Sequence, residues 1–222
     1  MSRTKIAWDD TYKEGAAYLQ YPREPIVVSY HRIKKIFPKD CSFLDYGFGS
    51  GNHIEFMSDK VSELYGIEVS QEAINMTSKR LENFDNFKKE NLVLSNGEFI
   101  KEFENKFDFI IAWNSIYYNT QDTIKDTIEN LYRYLKKDGI LITSLPTHRS
   151  LFKKHSIRVN SNTFKLTNGI PEQEGCNIVI PKDEKEFESY FQKFNILDVG
   201  HEEKVSYKID DFHSHYYGIL QK

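Results

Sequence analysis

The 222-residue chain is 39% apolar and 28% charged, with a net charge of −3 and an isoelectric point near 6.2. That length suits one sizeable α/β domain. The charge balance argues against a general nucleic-acid binder, and no run approaches the roughly 18 apolar residues of a membrane span. Cys41 and Cys176 form no CxxC and no metal-ligand cluster, and MSRTKIAWDD lacks the apolar core of a leader. A reducing, cytoplasmic location without disulfides, bound metal or membrane contact is therefore expected.

In chain order, a helical, aromatic-rich lead runs to about Phe37, and Pro38-Lys39-Asp40 makes a turn. SFLDY (42–46) is a short strand that runs into three glycines, and 52–59 is helical. ELYGIE (63–68) is a second strand, and Ser70 caps a helix to about Phe84 with Ile74, Thr77 and Leu81 on its apolar stripe. NLVLS (91–95) and FDFIIA (107–112) are the third and fourth strands, the latter apolar enough for burial on both faces. A helix over 120–136 carries Ile124, Ile128, Leu131 and Leu135 and stops at Asp138-Gly139. A fifth strand covers 140–145, an irregular stretch 146–181, a helix 183–193, and two last strands 195–200 and 214–220. Alternating strands and helices predict a doubly wound, mostly parallel sheet. The link before the last strand is too short for a crossover helix, so the final two strands should pair antiparallel.

The glycines are Gly47, Gly49 and Gly51 in FLDYGFGSGNHIEF. A dinucleotide fingerprint would place its third glycine where Asn52 stands, and a P-loop needs a Lys that is absent. What remains is Asp45, then GxGxG, then a helix. A carboxylate at the strand tip can receive a cation or the donors of a ligand, and the glycines let backbone approach closely. Glu68 ends the second strand 17 residues past Gly51, where a carboxylate can accept both hydroxyls of a ribose. The loop thus suits an adenosyl ligand carrying an amino acid better than one carrying phosphates.

These segments resemble class I S-adenosylmethionine-dependent methyltransferases over roughly residues 40–145. FLDYGFGSG is similar to the first motif, LYGIEVS to the second, LSNGEFIKEFENKFDFIIAWNSIYY to the third and fourth, and LYRYLKKDGILITSLP to the fifth. The resemblance implies a Rossmann-like seven-stranded sheet of order 3-2-1-4-5-7-6 with strand 7 antiparallel. It implies a single methyltransferase domain over 1–222, made of a lead or cap (1–40), a cofactor-binding core (41–145), an acceptor-side insertion (146–181) and a C-terminal helix and strand pair (182–222). S-adenosylmethionine would be held by Tyr12, Tyr21, Asp45, Gly47, Gly49, Gly51, Glu68, Val69, Asn96, Gly97 and Trp113, with S-adenosylhomocysteine as product. The chain departs from the family's pattern at three places. Phe48 is bulky where small residues are common, and Asn96 stands where an acid usually meets adenine, though its carbonyl can still accept. Tyr117-Tyr118 replaces the frequent Leu-His-His.

Charge points to the acceptor. From Thr147 to Pro171 there is no acid but five bases, Arg149, Lys153, Lys154, Arg158 and Lys165. This places Arg149, Lys153, Lys154 and Arg158, with Tyr118, at an anionic small-molecule acceptor such as a sugar, a nucleotide-linked sugar or a phosphorylated metabolite. A base is needed only for a protonated nucleophile. The candidates are His148, then His155, with Tyr117 beside them; His213 and His215 share one face of the last strand, and His31 and His53 read as structural. Oxygen is favoured over nitrogen, since AWNSIYY lacks an Asn-Pro-Pro-Tyr-like stretch. Two rivals share this core. An RNA methyltransferase would bind mixed tRNA in a filter assay, and a cofactor-binding regulatory protein would show no turnover.

Overall fold

The computed structural model describes residues 3–206 and 211–222. Two lead helices, α1 (Arg3–Lys13) and α2 (Glu24–Ile33), precede β1 (Ser42–Tyr46), α3 (Asn52–Met57), β2 (Glu63–Glu68), α4 (Gln71–Leu81) and β3 (Leu92–Leu94). There follow β4 (Phe107–Ala112), α5 (Gln121–Tyr134), β5 (Leu135–Pro146), α6 (Leu151–Lys154), β6 (Ser156–Arg158), β7 (Thr163–Leu166) and β8 (Asn177–Val179). The chain closes with α7 (Glu184–Ser189), β9 (Asn195–Ser206) and β10 (Asp211–Gln221).

The main sheet has the order β3-β2-β1-β4-β5-β10-β9, which is the expected 3-2-1-4-5-7-6 counted over its own seven strands. Strands β1 to β5 pair in parallel, and β10 runs antiparallel to both β5 and β9. The link at 207–210 lies outside the described residues. Alternation along β4 sends Phe109 and Ile111 into the core beneath one face, and Ile110 and Ala112 into the core beneath the other. A sheet buried on both faces needs such a continuous apolar run, which is why FDFIIA lacks polar alternation.

Local chemistry sets the helix starts. The Ser70 hydroxyl accepts from the Ala73 N–H at 3.2 Å, and Thr120 and Thr123 form a reciprocal capping box. Buried Ile124, Ile128 and Leu131 dock α5 on the sheet.

Two expectations need correction. The α5 helix ends at Tyr134 rather than near 136, because β5 begins at once with Leu135 beside Phe107. Residues 136–139 then bulge out before Ile140 rejoins opposite Phe109, with Asp138 at φ +64° making the turn. The stretch 146–181 is not irregular: it holds α6 and an antiparallel sheet β6-β7-β8. Its strands are three or four residues long, too short for periodicity to show, and the distant pairing of Thr163 with Val179 fixes them. This small sheet is tied to the core where the Val179 N–H donates to the Tyr117 carbonyl at 2.8 Å. The turn at 171–173 meets α1, and the Tyr118 hydroxyl donates to Gln173 Oε1 at 2.8 Å. The insertion therefore folds back over the carboxyl ends of the central strands.

Candidate active site

The glycine loop is held in a shape that side chains resist. Gly47, Gly49 and Gly51 have φ of +74°, +54° and +81°, the left-handed region. Space is short as well: a Cβ on Gly47 would lie 2.4 Å from Ser115 Cβ, and one on Gly49 would lie 2.3 Å from the Tyr12 hydroxyl oxygen. Glu68 braces the loop from the next strand. Its Oε2 accepts from the Gly49 N–H at 3.0 Å, and its Oε1 from the Val69 and Ser70 N–H groups at 2.7 and 3.0 Å. Asp45 is buried at the end of β1 with its Oδ2 unpartnered. Burial, and then the charge of Glu68, pushes the Asp45 carboxyl well above the usual range. Glu68 is raised too, chiefly by burial, while its three backbone donors pull the other way.

Two cavities open above these strand ends. The first, about 230 Å³, takes in Gly47, Glu68, Val69, Asn96 and Gly97 of the predicted cofactor residues, together with Tyr12. The second, about 400 Å³, takes in Gly49, Trp113, Tyr117, Arg23 and His215. Trp8, Tyr12, Gly47, Asn114 and Tyr118 line both, so the two spaces adjoin.

Asp45 and Gly51 form the wall of neither; Gly51 instead backs onto Thr77, whose hydroxyl an added Cβ would meet at 2.7 Å. Tyr21 stands 74% exposed on the outer surface beside Arg80, and only its carbonyl, which accepts from Asn52 Nδ2 at 3.0 Å, ties it to the loop.

The basic side chains of the stretch lie outside both cavity walls, and only its Phe152 reaches the second. Arg149 pairs with Glu203 at 3.1 Å, and Lys153 and Arg158 sit over the Phe164 ring. Lys154 is exposed on α6. His148 is exposed, edge-on to Phe164. The His155 ring fills the space over Gly169, where an added Cβ would meet Nδ1 at 1.9 Å. These side chains go elsewhere because β6 and β7 draw the stretch into a sheet of its own. Of the predicted catalytic and acceptor residues, Tyr117 and Tyr118 alone reach the second cavity.

The cations and bases of that cavity come from other elements. Arg23 is the N-cap residue of α2, and its backbone N–H donates to His53 Nε2 at 3.4 Å. Its side-chain Nε is buried without a partner, as is His215 Nε2. Burial, reinforced by Arg23, brings His53 down to about 3; burial, His213 and Arg23 bring His215 to about 3. Tyr117 and Tyr118 are raised, mainly by burial. Sequence reasoning did not assign Arg23, Tyr46, Asn114, Ser115 or Gln173 to the site. Tyr46 ends β1 beside the glycines, while the others stand in loops or far along the chain, and the weak signals were Pro22-Arg23 at a helix start and the His213/His215 alternation.

The site's own residues fit the adenosyl amino acid that the motifs imply. A buried carboxylate oxygen on Asp45 without a partner, a loop that tolerates no Cβ, and a cleft that Gly47, Glu68 and Asn96 line are compatible with that ligand. Comparison with known proteins agrees. A family model described as a methyltransferase domain matches residues 18–197. No curated protein matches the chain. Among solved structures, an S-adenosylmethionine-dependent methyltransferase from Methanosarcina mazei superposes with a TM-score of 0.69 at 19% identity, covering 90% of this chain and 98% of its own. The 1,6-didemethyltoxoflavin-N1-methyltransferase of Burkholderia thailandensis, with bound 1,6-didemethyltoxoflavin and S-adenosylhomocysteine, gives 0.70 at 11% identity, covering 99% and 87%. The N-methyltransferase NodS of Bradyrhizobium japonicum, in complex with S-adenosylhomocysteine, gives 0.65 at 14%, covering 97% and 98%. With the family model spanning most of the chain and the strand order that of its fold, the chain belongs to the class I S-adenosylmethionine-dependent methyltransferases and is an enzyme that uses S-adenosylmethionine.

Proposed function

We propose that this enzyme methylates an oxygen of a small anionic acceptor in the cytoplasm, such as a sugar, a nucleotide-linked sugar or a phosphorylated metabolite, with no nucleic-acid partner. The observation that carries this reading is Arg23. It is a cation on the wall of a cavity of about 400 Å³, with no ion-pair partner among the described residues and a buried Nε that lacks a hydrogen bond. A buried guanidinium nitrogen without a hydrogen-bond partner is costly unless an acceptor meets it. The cavity is of small-molecule size, and the Burkholderia neighbour holds a small molecule. Two neighbours bear the name N-methyltransferase. At 11% and 14% identity they share the fold alone, and the choice of oxygen rests on AWNSIYY.

In this reading Asp45, Gly47, Gly49, Glu68, Val69, Asn96 and Gly97 hold the cofactor, with Tyr12 closing over the loop. When bound, S-adenosylmethionine supplies an electrophilic methyl group. The residues of this chain align the acceptor and exclude water, which is most of what an in-line displacement asks of an enzyme. Arg23 fixes the anionic end. Trp113, Tyr117 and Tyr118 form apolar walls, and the Tyr118–Gln173 bond keeps the insertion closed over them.

The test is a screen for S-adenosylhomocysteine release with sugar phosphates, nucleotide sugars and hydroxy acids against their neutral counterparts. Arg23→Ala should then raise KM for the anionic acceptor about 10- to 100-fold, the worth of a charge-assisted bond, and leave cofactor affinity within about threefold. Preference for neutral acceptors, or an unchanged KM, would remove the anionic reading.

A further inference from the structure

Among the described residues, five buried side-chain atoms lack a hydrogen-bond partner, and two of them, Arg23 Nε and His215 Nε2, belong to the wall of the same cavity. An unmade hydrogen bond on a buried group is a standing penalty. Two such deficits facing one space mark positions kept for a ligand. His215 is 4% exposed, set in β10 opposite Pro146 at the end of β5. The ring is wedged against Tyr117 at 5.9 Å and Phe152 at 6.4 Å between centroids. It therefore has little rotational freedom, and the residue lines the cavity together with Gly49 and Trp113, at the end where the cofactor loop enters.

We propose that His215 is the base that takes the proton of the acceptor's nucleophile, and hence that this nucleophile is a hydroxyl and not a phosphate or carboxylate oxygen. The inference rests on the proposed function. An ionised phosphate or carboxylate has no proton to give up and would need no base, so a preplaced unpartnered imidazole would serve nothing there. The balance is simple. The hydroxyl oxygen forms the new C–O bond with one of its electron pairs, and the pair of the broken S–CH3 bond stays on sulfur. The O–H pair remains on oxygen as the proton moves to His215 Nε2, and water removes that proton after product leaves.

Charges around the ring suit this timing. Burial above all, then His213, Arg23 and His201, disfavours the imidazolium, so the free ring is neutral. Glu202 faces it across β9, Glu172 stands on the cavity wall, and the Tyr117 phenol is neutral. An acceptor anion beside Arg23 offsets that cation and raises the proton affinity of the ring as the acceptor binds.

Two measurements decide the matter. The first uses the protein with S-adenosylhomocysteine and nitrogen-15 imidazole spectra at pH 7, the His215 signal being assigned by its loss in His215→Gln. Nε2 should be bare and the ring neutral. A predominant Nε2–H tautomer, or an imidazolium, overturns the proposal. The second takes the acceptor found in the screen. His215→Gln and His215→Ala, each checked for melting temperature and S-adenosylhomocysteine affinity, should lose roughly 10²- to 10⁴-fold in kcat with KM little changed. Added imidazole should restore part of the activity of His215→Ala, and mass spectrometry should place the methyl group on a hydroxyl oxygen. Near-normal kcat in a folded variant, or a methyl ester as product, overturns it. If no anionic acceptor is turned over, the proposed function falls, and the imidazole spectra still decide whether His215 is a poised base.

Discussion

Replacing Gly49 with Ala probes the cofactor loop most directly. Gly49 sits at φ +54°, and its added Cβ would lie 2.3 Å from the Tyr12 hydroxyl oxygen but 3.4 Å from Tyr12 Cζ. The penalty therefore has two separable parts. Left-handed backbone costs an alanine about 1–2 kcal/mol, and forcing the Tyr12 ring aside is overpacking, typically about 1–3 kcal/mol. Gly49→Ala should lose roughly 2–5 kcal/mol. At about 2–4 °C per kcal/mol for a chain of this size, the melting temperature should drop by roughly 4–20 °C. Tyr12→Phe removes the clashing oxygen alone, leaving a contact of ordinary length. The double variant should thus recover about 1–2 kcal/mol relative to the sum of the single changes, while the backbone part remains. Stability, read by urea and thermal unfolding without cofactor, is the proper assay, because Tyr12 also faces the cofactor cavity. A Gly49→Ala protein within about 0.5 kcal/mol of wild type, or a double variant no better than additive, would refute the account of the loop.

Other outcomes follow from the same contacts. The Asp45 carboxyl is held above its usual range by burial and by Glu68, which gives the folded state a stability term complete below the unfolded value of about 3.9 and lost as pH rises through the folded one. Urea unfolding across pH, wild type against Asp45→Asn, measures that term, and an identical pH dependence in the two proteins would contradict it. Glu68→Gln leaves one acceptor oxygen for three backbone donors, and cofactor affinity should fall about 10- to 100-fold by titration. Tyr118→Phe loses the bond to Gln173 and should cost about 1 kcal/mol, with faster amide exchange over 172–176. Neutralising Arg149, Lys153, Lys154 and Arg158 together should change acceptor KM by less than about threefold, since Arg149 is engaged by Glu203 and Lys153 and Arg158 by Phe164; a tenfold rise would return the acceptor to that rim.

The sequence by itself determined the cofactor-binding fold of this enzyme. Asp45, the glycines and Glu68 lie on contiguous strand–loop–helix segments, whose spacing suits an adenosyl amino acid better than a phosphate ligand, and FDFIIA and the Ser70 cap specify their elements with near-neighbour chemistry. The acceptor half was legible only as a charge excess between 147 and 171. Short strands hid the β6-β7-β8 sheet, and a positive stretch says nothing about where its side chains point once Glu203 and Phe164 engage them. Tertiary structure alone decided which residues meet there. It brings Arg23 from the lead, Tyr117 from the β4–α5 loop and His215 from an antiparallel strand nearly 200 residues on. A cavity is a property of distant segments packed against one another, and no local window of sequence records it.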